Sequence, residues 1–339
     1  MSTVVTFGEI MLRLAPEGYM RFLQADTFGA SYSGSEANVA VSLANFGIDT
    51  AFVTRLPENE IGQCAVNYLR RFGVNTNFIS RSEDGRTGLY FLEKGAGTRA
   101  SKVIYDRAGS AVSLSTSEDY DWDSIFEGCK IFMLSGITPA LSKALSEICL
   151  QACQIAQKKG ITVVFDLNYR KKLWTAETAG KVMGEICRYV DICITNEEDA
   201  SLLFGINMPQ KDFSSLNMDG YREVAGELAA RFGFKKVCIT LRESKSASLN
   251  GWAGLMLSDD GFTQSKKYEI NIVDRVGAGD AFTAGIIYGE LKKMTCQCQL
   301  DFAVAAGCLK HTIEGDFNMV SAEEVLFLAG GDNCGRVKR

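Results

Sequence analysis

Asp274-Arg275-Val276-Gly277-Ala278-Gly279-Asp280, continuing as Ala281-Phe282-Thr283-Ala284-Gly285, is the stretch from which the fold of this 339-residue chain can be read. A run from Ile270 to Val273 stops there and a helix of small residues starts. Gly277, Ala278 and Gly279 carry almost no side chain, so their backbone N–H groups are open to close approach. The first N–H groups of a helix have no partner within it and carry a partial positive charge, which together make an anion site. Asp280 then falls in the first helical turn. A carboxylate beside a bound anion is a poor ligand for it, but a good base for a hydroxyl attacking it. The plainer alternative is an Asp that favours a helix start.

Working outward, the second half of the chain alternates strand and helix. Strands are expected at Cys129–Leu134, Ile161–Asp166, Val190–Thr195 and Lys235–Leu241. Helices are expected at Ser142–Lys159, around Ala176–Arg188 and at Tyr221–Phe232. Near-continuous apolar strands between helices imply a parallel sheet covered on both faces. Ligands bind beyond the carboxyl ends of such strands. That rule puts Gly136-Ile137-Thr138, Asp166-Leu167-Asn168-Tyr169-Arg170 and Thr195-Asn196-Glu197-Glu198-Asp199 on one rim. Residues 249–273 return to short strands, and helices near Leu300–Ile313 and Ser321–Leu328 close the chain before a glycine-rich, basic tail from Gly330, expected to fray.

The first half opens with one strand, Thr3–Leu12, interrupted at Gly8-Glu9. Residues 13–33 carry Pro16, Tyr19, Phe22, Phe28 and Tyr32 among polar residues and suggest a hairpin outside the main core. Ser33-Gly34-Ser35-Glu36-Ala37-Asn38 opens a helix to Phe46, with Gly47 as its stop. A strand at Asp49–Leu56 and an amphipathic helix at Glu60–Phe72 follow, and residues 87–108 form a second hairpin-like insert.

Composition limits the partners. Hydrophobic residues make up 46% and charged residues 23%, enough apolar content for a sizeable core. A net charge of −5 without a basic run argues against nucleic acid. No stretch has the apolar length of a membrane span, and Met1 leads directly into a strand without a signal peptide. Of eleven cysteines, most lie in apolar segments and read as reduced core residues, so a cytoplasmic location is expected. Cys296-Gln297-Cys298 has no second pair at zinc spacing. The single histidine, His311, lies in an apolar helix and reads as structural, which leaves the chemistry to carboxylates and arginines.

On the rim, Arg170 can clamp a phosphate. Asn196 with Glu197, Glu198 and Asp199 offers acidic groups to a hydrated Mg²⁺; equally, Asn196 fits a helix N-cap followed by acidic first-turn residues. In the second insert, Arg107 beside Tyr105 suits a ligand carboxylate, with a solvated edge strand as the alternative. A dinucleotide-binding oxidoreductase is disfavoured, because Gly8-Glu9-Ile10-Met11 lacks the Gly-x-Gly-x-x-Gly that opens a helix.

Taken together, Gly34-Ser35-Glu36-Ala37-Asn38-Val39-Ala40 with Gly47, and Asp274–Asp280 with Ala281-Phe282 and Gly285, resemble the ribokinase-like (PfkB) sugar kinases over nearly the whole chain. The resemblance implies one α/β unit over 1–339, a Rossmann-type three-layer core with a small β lid made by residues 13–33 and 86–108. It implies ATP-dependent phosphorylation of a sugar hydroxyl with Mg²⁺, Asp280 as base and Gly277, Ala278 and Gly279 as the anion hole. Within the family, Asp274–Gly277, Tyr105-Asp106-Arg107-Ala108-Gly109-Ser110-Ala111 and Asp166–Arg170 are most similar to 2-keto-3-deoxygluconate kinases. By that likeness Gly34, Asn38, Tyr90, Tyr105 and Arg107 contact a sugar acid, and Asp316 holds a substrate hydroxyl. Arg170 lies between sugar and phosphates, and the 6-hydroxyl is the acceptor. Asn168, Asn196, Thr240 and Arg242 fall to the nucleotide, and Glu198 and Asp199 to the metal. The likeness further implies a homodimer through the lid, or a higher homo-oligomer. A fructokinase or ribokinase is the alternative within the family. Three departures stand out: Ser33 replaces a Gly or Ala, Asp199 replaces a Glu, and the nucleotide loop reads Thr240-Leu241-Arg242-Glu243-Ser244-Lys245-Ser246-Ala247.

Overall fold

The structure, a computed structural model, describes residues 2–207 and 218–331. Residues 332–339, most of the tail expected to fray, lie outside the described residues. In chain order the strands are β1 Val4–Phe7, β2 Met11–Ala15, β3 Gly29–Ser33, β4 Thr50–Pro57, β5 Ile79–Ser82, β6 Gly88–Glu93 and β7 Lys102–Asp106. They continue as β8 Ile131–Ser135, β9 Thr162–Asp166, β10 Ile192–Thr195, β11 Lys236–Ser244, β12 Leu249–Ser258, β13 Gly261–Gln264 and β14 Tyr268–Asn271.

Among the described residues the strands form two sheets. The large one runs β13-β12-β11-β10-β9-β8-β1-β4-β5, with β14 beside β12. It is parallel from β5 through β11 and antiparallel at the β11–β14 end. Successive side chains of a strand point to opposite faces, and here both faces are apolar. Val5, Phe132, Leu134, Phe165 and Cys193 pack against one helical layer, which includes Lys143–Lys158 and Ala176–Cys187. Val4, Ile131, Met133, Val164 and Ile194 pack against the other, which includes Ala278–Leu291 and Cys296–His311. This is the three-layer α/β architecture expected from the strand–helix alternation.

The small sheet has the order β3-β2-β6-β7. Met11, Tyr90 and Leu92 form its buried core, with Val276 packed against it. Its other face carries Phe22, Phe28 and Phe91, whose ring centroids lie 6.2–6.5 Å apart.

The strand β5 has no counterpart among the expected strands, β12 is longer than the short strands expected over 249–273, and two further departures bear on the site. Thr3–Leu12 is not one strand: the chain leaves the large sheet after Phe7 and enters the small one at Met11. The break at Gly8-Glu9-Ile10 is therefore the junction between core and lid, and the lid takes in Met11 and Leu12. Likewise Thr240–Ser244 is not a loop. It continues β11, paired with β12 from Lys236 to Ser244. Thr240–Ser244 pairs with Gly254–Asn250 of β12, around the buried Trp252, and this carries the strand through the segment where the resemblance implies a loop.

His311 is buried, with Nδ1 2.7 Å from the Gly307 carbonyl oxygen and its ring edge-on to Trp252. Burial lowers its pKa to about 3, so it stays neutral, consistent with a structural role. Cys149, Cys153, Cys187, Cys193, Cys238 and Cys308 are free and buried, and no group of three or more potential metal ligands occurs among the described residues.

Candidate active site

The carboxyl ends of the parallel strands, the lid and the start of the Ala278–Leu291 helix enclose a cavity of about 600 Å³. It is lined by Gly34, Asn38, Tyr90, Tyr105, Arg107, Asn168, Arg170, Asn196, Glu198, Thr240, Arg242, Gly277, Gly279, Asp280 and Asp316. Residues spread over nearly 300 positions thus share one site. Two of the residues singled out from the sequence do not line it. The Ala278 side chain is packed in the core, and Asp199 borders a neighbouring groove under the lid instead.

Gly277 is the N-cap of the Ala278–Leu291 helix, with φ +87°, a left-handed conformation that favours glycine. A Cβ on Gly277 would also run into the backbone carbonyl of Asp316. At Gly279 an added Cβ would meet nothing within 4 Å, so this part of the turn faces open space. Free helix N–H groups thus face a space that can admit a phosphate.

Asp280 follows in the first turn and is buried. Its two oxygens accept hydrogen bonds from Ser35 Oγ (2.6 Å) and Asn38 Nδ2 (2.7 Å). Ser35 Oγ in turn accepts from Asn168 Nδ2 (3.1 Å), whose backbone has the positive φ of +38°. Ser35 and Asn38 are on the helix Ser35–Asn45, which starts abruptly because Gly34 packs on the carbonyl of Glu9, where a Cβ would collide. Burial raises the Asp280 pKa above the ordinary carboxylate value, and the Ser35 and Asn38 bonds oppose that rise. Such a group can accept a proton from an adjacent hydroxyl. Sequence reasoning missed Ser35, although it sits inside the Gly34–Ala40 motif.

Asp166, at the end of β9, also lines the cavity, and its pKa is raised well above normal by burial and then by Asp280 and Asp199. Asp199 is committed elsewhere. Its Oδ2 accepts from Tyr169 N and Asn196 Nδ2 (both 3.1 Å), and Asn196 Oδ1 caps the Asp199 N–H at 2.8 Å. The N-cap alternative for Asn196 is therefore the arrangement found, and the Asp199 carboxylate is turned into it. The Glu197 side chain lies outside the described residues. Glu198 is exposed at the cavity rim and Asp166 lines the cavity, so these two carboxylates are the ones a hydrated Mg²⁺ could meet, an ion that needs few protein carboxylates when phosphates supply the rest.

On the lid side, Arg107 Nε donates to Glu9 Oε2 at 2.7 Å, and Nη2 donates to the same oxygen. The Glu9 side chain is buried and that of Arg107 is 9% exposed. The other Glu9 oxygen, Oε1, is buried with no hydrogen-bond partner among the described residues. The Arg107 guanidinium carbon lies 5.6 Å from the Tyr105 ring centroid, and Tyr105 lies beside Tyr90 at 6.0 Å. Arg107 is thus neither a solvated edge residue nor unpaired. Glu9 was not singled out from the sequence, although it stands just beyond a strand end on the same rim.

Asp316 accepts hydrogen bonds from Arg13, Ser33 Oγ (2.7 Å) and Tyr90 OH, so its carboxylate is engaged before any ligand arrives.

A parallel α/β core, a β lid and a glycine turn facing a buried carboxylate define a small-molecule phosphotransferase site. The pfkB family carbohydrate kinase model matches residues 1–322, and the chain belongs to that family. The chain is 49% identical to a solved 2-dehydro-3-deoxygluconokinase of Thermotoga maritima, covering 98% of this chain and 100% of that one with a TM-score of 0.94. It is 33% identical to a 2-dehydro-3-deoxygalactonokinase of Haloferax volcanii, covering 97% of each chain. It is also 25% identical to a 2-dehydro-3-deoxygluconokinase of Bacillus subtilis, covering 95% of this chain and 93% of that one.

Proposed function

We propose that this carbohydrate kinase transfers the terminal phosphate of ATP to the 6-hydroxyl of 2-keto-3-deoxygluconate. Asp280 takes the hydroxyl proton, the oxygen forms its bond to phosphorus, and the bond from phosphorus to the ADP oxygen breaks. Gly277 and Gly279 offer backbone N–H groups to the phosphate, and Arg170 lies between sugar and nucleotide. Thr240, Arg242, Asn168 and Asn196 border the nucleotide side, and Glu198 is a residue that would meet a Mg²⁺ ion, which would offset phosphate charge when bound. The observation that carries the reading is Asp280 itself: a buried carboxylate held by Ser35 and Asn38, one turn from the glycine cradle and in one cavity with Arg107. The names of the Thermotoga and Bacillus relatives support the sugar acid over a neutral sugar.

Two observations bear on which substrate is preferred. The Haloferax relative is named for the galactonate epimer. Arg107 is already paired with Glu9, so a sugar carboxylate would share that guanidinium, whereas a fructokinase or ribokinase substrate would leave the pair as it is. A coupled ADP-release assay over both ketodeoxy acids, the aldonic acids, fructose and ribose decides between them. Highest kcat/KM on 2-keto-3-deoxygluconate is expected. Highest kcat/KM on fructose or ribose would replace the sugar-acid reading.

The proposal includes a cytoplasmic enzyme, where ATP is abundant. Among the described residues no helix is long and apolar enough to cross a membrane. It also includes a homodimer through the lid, whose loop exposes Tyr19, Met20, Leu23 and Phe28.

A further inference from the structure

Three of the four lid strands converge on one carboxylate of the core. Arg13 on β2, Ser33 at the end of β3 and Tyr90 on β6 all donate to Asp316. Arg13 is 3% exposed, and its second amino group, Nη2, donates to Asp274 Oδ2 at 2.6 Å. Asp274 in turn accepts from the Val276 N–H (3.2 Å) and the Gly315 N–H (3.3 Å), inside the two segments that meet at the glycine turn. Asp316 closes the circuit, since its own carbonyl is packed against Gly277.

The charges of this cluster nearly balance. Arg13 and the fully buried Lys310, whose Nζ donates to the carbonyls of Asp274 and Ile313 (both 3.2 Å), face Asp274 and Asp316. A buried ion pair is costly to assemble and strongly destabilising to break on one side, so it holds its partners in a single arrangement. Lys cannot reproduce the fork with which one guanidinium spans two carboxylates.

We propose that Arg13 is a positioning residue that ties the lid to the phosphate-binding turn, with Asp274 and Asp316 as its anchors. Lid and cradle then move as one body, and a phosphate seated at Gly277 is felt in the lid before any sugar binds. Asp316 thereby acts as the lid's fixed point as well as a wall of the sugar site. This rests on the reading of Gly277–Gly279 as the phosphate cradle.

Hydrogen–deuterium exchange on the full-length protein with magnesium and the non-hydrolysable nucleotide AMP-PNP tests it. In the wild type, exchange should slow at the first turn of Ala278–Leu291 and also in β2, β3 and β6, by about fivefold or more. In Arg13→Lys the nucleotide dissociation constant should stay within about twofold, while the lid response falls to less than about twofold. If Arg13→Lys does not fold, Asp316→Asn serves in its place, because it leaves Arg13 paired with Asp274 and keeps an acceptor for Ser33. An unaltered lid response in the variant overturns the proposal, as does a wild-type lid that ignores the nucleotide while the helix start is protected. No protection at the helix start would remove the cradle itself, and the tie with it.

Discussion

The cavity has two halves that are built differently. Its floor is built from two local motifs: Asp280 is fixed by Ser35 and Asn38, all three in the first turns of two helices that begin at glycines, although the bonds between the motifs span 245 and 242 residues. Its lid wall draws on side chains outside any such helix start: Arg107 is set by Glu9 and Arg13 by Asp274 and Asp316, across separations of 98 to 303 residues. The floor is held by neutral donors on a carboxylate, the wall by charge pairs that exclude water. The floor is thus built to tune one proton acceptor, and the wall to select and hold a charged ligand.

The largest expected effect is on the floor. Asp280→Asn should lower kcat by about 10² or more, with ATP binding and the folded state retained, as measured by steady-state kinetics and nucleotide titration. Near-wild-type turnover would leave the floor without its base. A smaller effect separates tuning from chemistry. The base works ionised, so activity should fall as pH drops through its raised pKa. Ser35 and Asn38 hold that pKa down against burial. Ser35→Ala should therefore shift the acid limb of the kcat profile to higher pH and cost less than Asp280→Asn. An unshifted limb would mean that Ser35 only shapes the helix start.

These differences explain what could be read in advance. Asp280, Gly277 and Asn38 lie in local motifs whose spacing alone places them at helix starts, and the alternating strands pointed to the parallel core. The Asn196 capping arrangement was likewise visible as one of two alternatives, because it depends on residues only three apart. The ion pairs of the lid wall were not legible. Nothing in the surroundings of Glu9 or Arg13 indicates a partner dozens or hundreds of residues away, and only the fold brings them together. Thr240–Ser244 eludes a sequence reading for a related reason: the resemblance implies a loop there, and pairing with the distant residues of β12 makes it strand.

A stability measurement sharpens the contrast further. Glu36, in the same motif as Asn38, is fully buried and accepts from Ser135 N, Ser135 Oγ and Thr138 Oγ1 through a single oxygen. Burial raises its pKa to about 7 from 4.5. A folded-state pKa above the unfolded one gives stability that is complete below about pH 4.5 and is lost as pH rises through about 7. Each tenfold change in proton affinity between the two states is worth about 1.4 kcal/mol, so the loss is on the order of a few kcal/mol. Glu36→Gln keeps the acceptor and removes the titration, so thermal melts from about pH 5 to 8 should show a flatter profile than the wild type. Parallel profiles would show that Glu36 is ionised in the native state throughout. The smallest expected effect concerns assembly. If the exposed lid loop pairs, Leu23→Glu should lower the mass by light scattering from dimer to monomer without changing kcat by more than about twofold. A monomeric wild type would count against pairing.

The most direct test of the sugar-acid assignment is the kinetics of wild type and Arg107→Ala on 2-keto-3-deoxygluconate and on fructose. Arg107 is largely covered and paired with Glu9 through Nε and Nη2, and a sugar carboxylate entering the cavity would share its guanidinium. The account predicts that the wild type prefers the acid. It also predicts that Arg107→Ala loses roughly 2–5 kcal/mol of kcat/KM on the acid, as for truncation of a buried charge pair, while the KM for ATP hardly moves. A wild type that prefers fructose, or an Arg107→Ala variant with unchanged kinetics on the acid, would contradict the assignment and leave Arg107 as the partner of Glu9 alone.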